Sequence, residues 1–242
     1  MLWIGFLVFL RVGAVMALMP AFGEQAVPQR VRLVLALAFT AVVAPSVTEK
    51  AAPFVGVLAL PLATETIAGL VIGIGLRMFI FALQMAGTIA AQAASLSQLF
   101  GGAGPEPQPA ISNLLIMAGL ALAVMAGLHV RAAELMILSY DILPLGQLPG
   151  AADLADWGLA QVVRAFALAF TLAAPFVVAS LIYNMALGVI NRAMPQLMVA
   201  FVGAPALTLG GLVVLAVAAP VALAVWMQAF GDFLAAPFTV PP

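Results

Sequence analysis

The chain has no cysteine and a single histidine, His129. Disulfide frameworks, thiolate zinc sites and cysteine nucleophiles are therefore excluded, as is any metal site that needs a histidine pair. A serine triad would have to use His129, which sits in MAGLHVRAAEL, away from any Gly-x-Ser-x-Gly turn that would expose a serine. There is no P-loop either. An enzyme is not expected, nor is a cofactor or a metal. Charge is also scarce. Asp, Glu, Lys and Arg make up 7% of the 242 residues, against about a quarter in soluble domains. The net charge of −1 offers no basic footprint and argues against a nucleic-acid partner.

What is present is hydrocarbon. Hydrophobic residues make up 66% of the chain and its mean hydropathy is +1.24, which places it in the membrane class as one all-α unit. The N-terminus resembles a signal peptide only superficially. It has no basic n-region, and Arg11 interrupts the apolar run, so Trp3 to Met19 reads as a first mature helix closed by Pro20. A span needs about 20 residues, and a guanidinium near its middle costs about 3 kcal/mol or more in lipid. That depth makes snorkelling strained and calls for a protein partner.

Further along, Arg30 and Arg32 stand at the foot of a helix expected over Val31 to Ala44, with a polar break from Pro45 to Pro53. The apolar stretch from Phe54 to about Ser97 is too long for one simple span, and Pro61 with Thr64-Glu65-Thr66 is expected to divide it. Gly69 and Gly73 form a GxxxG step suited to close helix packing. Arg77 follows, and Gln84, Thr88, Gln92 and Ser95 then recur on one helix face. Leu99 to Pro109, LFGGAGPEPQP, cannot be helical. It reads equally as a surface loop or as irregular backbone lining a cavity. One helix is expected over Ile111 to Leu138, with Gly119, Ala123 and Gly127 as a small-residue stripe, and a loop from Asp141 to Asp156 with three Asp and no Lys or Arg. Gly158 to Ile190 and Ala206 to Phe230 complete the apolar segments.

The stretch Leu181 to Pro205, LIYNMALGVINRAMPQLMVAFVGAP, is the most informative. Asn184 and Asn191 share a helix face, with Gly188 between them, and Arg192 and Gln196 follow. Two amides and a gap for close backbone approach suit a stripe that meets another helix rather than lipid. Pro195 should stop this helix, and Gly203 with Pro205 should make a second break.

Several ordered motifs, from about residue 3 to 230, resemble the FliR family, whose virulence counterparts (SctT-like) serve injectisomes. They are R-x-G, P-x-F-G and V-P-x-R-V-R between Arg11 and Arg32, then Glu65 with Gly69 and Gly73. The most specific are Leu187-Gly188, Asn191-Arg192 and Pro195-Gln196, with Val202 to Pro205 after them. The resemblance implies a single-domain subunit of the type III export gate in the bacterial inner membrane, at the flagellar basal body. Helical hairpins of such subunits would assemble with FliP and FliQ into a pseudo-helical ring around a protein-conducting pore. FlhB would lie beside it, with lipid outside and unfolded secreted proteins as cargo. It also implies that Arg11, Glu65, Arg77, Asn184, Gly188, Asn191, Arg192, Pro195 and Gln196 lie at subunit interfaces. By position, Leu99, Phe100, Gly101, Gly102, Ala103, Gly104 and Pro105 would plug the closed pore. This chain has GGAGPEPQP where relatives more often carry an Asp-Pro step.

Other classes remain alongside. A secondary transporter would use Glu65, Arg77 and Glu134 on ions or substrate, but no paired repeat of interrupted helices is visible. An assembly factor that never conducts would be insensitive to changes in the Leu99 to Pro109 loop.

Overall fold

A computed structural model describes residues 2–50, 59–93, 110–147, 150–193 and 199–239. All of its regular structure there is α-helical: α1 (Leu2–Leu18), α2 (Gln29–Lys50), α3 (Ala59–Ala93), α4 (Ala110–Met125), α5 (Leu128–Ile142), α6 (Ala151–Ala193) and α7 (Val199–Ala235). Among the described residues, α2, α3, α6 and α7 carry apolar stretches long enough to cross a membrane, and α4 with α5 would make a fifth, bent span.

Several expected breaks are absent. α2 runs through Pro45 to Lys50, α3 is one helix of 35 residues, and α7 passes through Pro205. Pro61 lies in the first turn of α3, where a missing N–H costs nothing. The polar cluster after it stays helical: the Thr64 and Thr66 hydroxyls donate to the carbonyls of Pro61 and Leu62. Interior prolines are better tolerated in membrane-type helices, where neighbouring groups re-satisfy the freed carbonyls. Conversely, the single helix expected over Ile111 to Leu138 is two. Gly127 adopts the left-handed conformation (φ 80°, ψ 35°), and α4 and α5 meet there at 74°. The acidic loop is shorter than expected, because α6 begins at Ala151.

The chain divides into two compact units. The first comprises Met1–Ile80, Leu120–Val163 and Ala229–Pro242. Within it, α1 and α3 run parallel in close contact. A side chain at Gly69 would collide with the Arg11 carbonyl, and one at Gly73 would meet Leu18 at 2.9 Å, so the GxxxG step is what admits α1. Trp157 of α6 lies over Gly75, and Phe79 packs on Phe230 and Phe233 at 5.3 and 5.2 Å between ring centroids.

The second unit comprises Phe81–Gly119 and Arg164–Gln228. Here α3 and α4 touch backbone to backbone. Gly87 leaves no room for a side chain against Ser112, whose hydroxyl donates to the Gln84 carbonyl at 3.2 Å. Gly119 faces Leu83 and the fully buried Trp226. On α6, Ala165, Leu168, Ala169, Leu172, Ala173 and Phe176 follow helical spacing and are buried. Beyond Phe176 no residue of α6 is buried, and none is between Leu209 and Val225 of α7.

Candidate functional site

Two groups of polar residues stand out against this hydrocarbon. The first is inside. Arg11 of α1 and Glu65 of α3 are both fully buried and form a bidentate pair, Nε to Oε2 at 2.8 Å and Nη2 to Oε1 at 3.0 Å. α5 and the segment after it contribute the rest. The Ser139 hydroxyl accepts from Arg11 Nη1 at 3.2 Å and donates to the Met136 carbonyl. The Tyr140 ring lies 3.8 Å from the guanidinium carbon, and its hydroxyl donates to Glu65 Oε2 at 3.2 Å. The backbone N–H of Gly146, a residue at φ 78°, donates to Oε1 at 3.0 Å. Four donors thus fill the roughly four lone-pair sites of one carboxylate. A charge pair can rest in an apolar interior only with such complete hydrogen bonding.

The burial of Arg11 and Glu65 is therefore met within one chain, where the resemblance had assigned them to a seam between subunits. Arg77 too has an internal partner: its guanidinium donates to both carboxylate oxygens of Glu24, and the pair is about three-quarters buried. Sequence reasoning singled out all three charges but not Ser139, Tyr140 or Gly146. No local pattern distinguishes those from ordinary helix-end residues. Gln161, 2% exposed, also went unnoticed; among the described residues its side-chain amide has no hydrogen-bond partner.

The second group is outside. Asn184, Gly188, Asn191 and Arg192 all lie on the exposed C-terminal part of α6. Asn184 reaches only back along its own helix, to the Ser180 hydroxyl at 3.2 Å. A side chain at Gly188 would meet nothing within 4 Å. Large apolar neighbours are equally uncovered: Ile182, Met185 and Val189 are 63%, 65% and 69% exposed, and Val217 on α7 is 72% exposed. Among the described residues, this apolar arm with its two amides and guanidinium is uncovered. Pro195, Gln196 and the segment Leu99 to Pro105 lie outside the described residues.

The profile of the family described as bacterial export proteins, family 1, matches residues 2–233. The flagellar biosynthetic protein FliR of Caulobacter vibrioides is 33% identical over 237 residues, covering 96% of this chain and 94% of that one. FliR of Escherichia coli K12 is 31% identical over 209 residues, covering 83% and 78%. A match over nearly the whole length, with the close-packing glycines and polar arm of α6 inside it, means that the chain belongs to the FliR family of bacterial export proteins.

Proposed function

We propose that this chain, by family a membrane-embedded component of the flagellar export apparatus, forms with FliP- and FliQ-type subunits the protein-conducting gate of the inner membrane. Unfolded flagellar proteins would pass through it, with an FlhB-type subunit alongside. The observation that carries this reading is the uncovered arm. The end of α6 beyond Phe176 and the described part of α7 from Leu209 to Val225 hold no buried residue, yet α6 displays Asn184, Asn191 and Arg192 there among exposed apolar side chains. Lipid alone covers the apolar part well but leaves the amides unsatisfied. Neighbouring helices satisfy both, and Gly188, with open space above it, allows them to approach closely.

The role is that of a conduit component rather than a catalyst. The transporter reading loses its central group, because Glu65 is fully buried and its oxygens are already taken by Arg11, Tyr140 and Gly146. The pore-plug role of Leu99 to Pro105 and the interface roles of Pro195 and Gln196 belong to this proposal through the resemblance.

Co-expression with P- and Q-type subunits, followed by purification in mild detergent, tests it. A stable large complex that forms only when this chain is present is expected. A monomer or homodimer that ignores those partners would overturn the reading.

A further inference from the structure

The first unit holds a cavity of about 190 Å³ lined by Ala68, Val71, Leu143, Trp157 and Phe238, with Asp153 among its walls. Small-molecule sites typically run to about 300–1,000 Å³, whereas an engineered cavity of about 150 Å³ takes up one benzene. The space therefore suits one bulky apolar side chain.

Polar contacts hold two of its walls in place. Gly146 donates to Glu65, which fixes the segment carrying Leu143 against α3. Trp157 Nε1 donates to the Pro237 carbonyl at 2.9 Å, which fixes the tail carrying Phe238 against α6. The cavity is thus preformed by the described residues around it.

Charge selects among occupants. Asp153 is exposed in the first turn of α6, where the helix dipole favours its carboxylate, and Asp156 is exposed one turn on. No Lys, Arg or His occurs from Asp141 to Val163. Exposed carboxylates at a helix start favour water at the mouth and repel anionic headgroups.

We infer that this cavity is a docking site for one bulky apolar side chain, Phe- or Leu-sized, on a polypeptide segment that carries Lys or Arg beside it. The cation sits over Asp153 while the apolar group fills the space beside Trp157.

The test uses the full chain in phosphatidylcholine nanodiscs and two fluorescent peptides, one with a central Lys-Phe-Lys and one with Glu-Phe-Glu. Exposed ion pairs contribute about 0.2–1 kcal/mol each, so the Lys form should bind about three- to tenfold tighter, and high salt should erase the difference. Asp153→Lys, a change at an exposed position, should reverse the preference. Replacing the central Phe by Ala should abolish binding of either peptide. Equal binding of the two charge forms to the unaltered chain, which needs no variant, would overturn the proposal. So would a lipid occupant, seen if brominated acyl chains quench the Trp157 fluorescence (wild type minus Trp157→Phe) and the Lys peptide does not relieve it.

Discussion

Arg11 and Glu65, on α1 and α3, face each other across 54 positions of sequence with two parallel hydrogen bonds and no exposed atom. Removing one partner of such a pair leaves a buried charge uncompensated, at about 3–5 kcal/mol. Arg11→Met should therefore lower chain stability by about that amount. Arg11→Met combined with Glu65→Met should recover most of the loss, since apolar replacements of similar volume are often neutral. Unfolding curves in detergent for both single variants and the double variant decide this. A double variant no better than Arg11→Met would mean that Glu65 is held chiefly by Tyr140 and Gly146.

The glycines separate internal packing from external docking. Gly69→Val pushes a side chain into the Arg11 carbonyl and should destabilise the chain by about 1–3 kcal/mol or more. Gly188→Val meets only open space and should leave unfolding of the isolated chain unchanged within about 0.5 kcal/mol. Its effect should appear instead as a reduced yield of complex with the P- and Q-type subunits.

Arg192 offers the same separation by charge. It is exposed at the end of α6, so Arg192→Ala should spare the fold and lower recovery of the assembled complex. Undiminished complex on a native gel would remove Arg192 from the proposed interface.

Deletion of Gly101 to Pro105 should make the assembled gate leak. The readout is ion conductance across membranes containing the full complex, and an unchanged conductance would end the proposed plug role.

Sequence reasoning reached the helical, membrane-type fold because composition alone requires it. It also reached the meaning of Gly69 and Gly73, since close helix approach has a local signature. The depth of Arg11 in α1 announced that it needed a protein partner. That the partner is Glu65 in the same chain was not legible, because nothing around either residue encodes a contact made so far away in sequence. The prolines misled for a related reason. Pro45 and Pro205 would end helices in water, but these are apolar helices whose surroundings change that cost. Gly127 misled in the opposite direction: as one member of a small-residue stripe it looked helical, whereas its left-handed conformation turns the chain. The shared helix face of Asn184 and Asn191 was readable from their spacing, while nothing local linked Ser139, Tyr140 and Gly146 to Arg11 and Glu65.

The buried pair also orders events during synthesis. α1 emerges from the ribosome with a guanidinium at its centre, and the carboxylate that neutralises it is made 54 residues later. At about 5–20 residues per second, the first helix waits on the order of 3–11 s for Glu65, and longer for Tyr140. Throughout that interval lipid is a poor resting place for α1. The N-terminal helix must be sheltered by the insertion machinery or held at the membrane surface, and it can settle only when α3 arrives alongside.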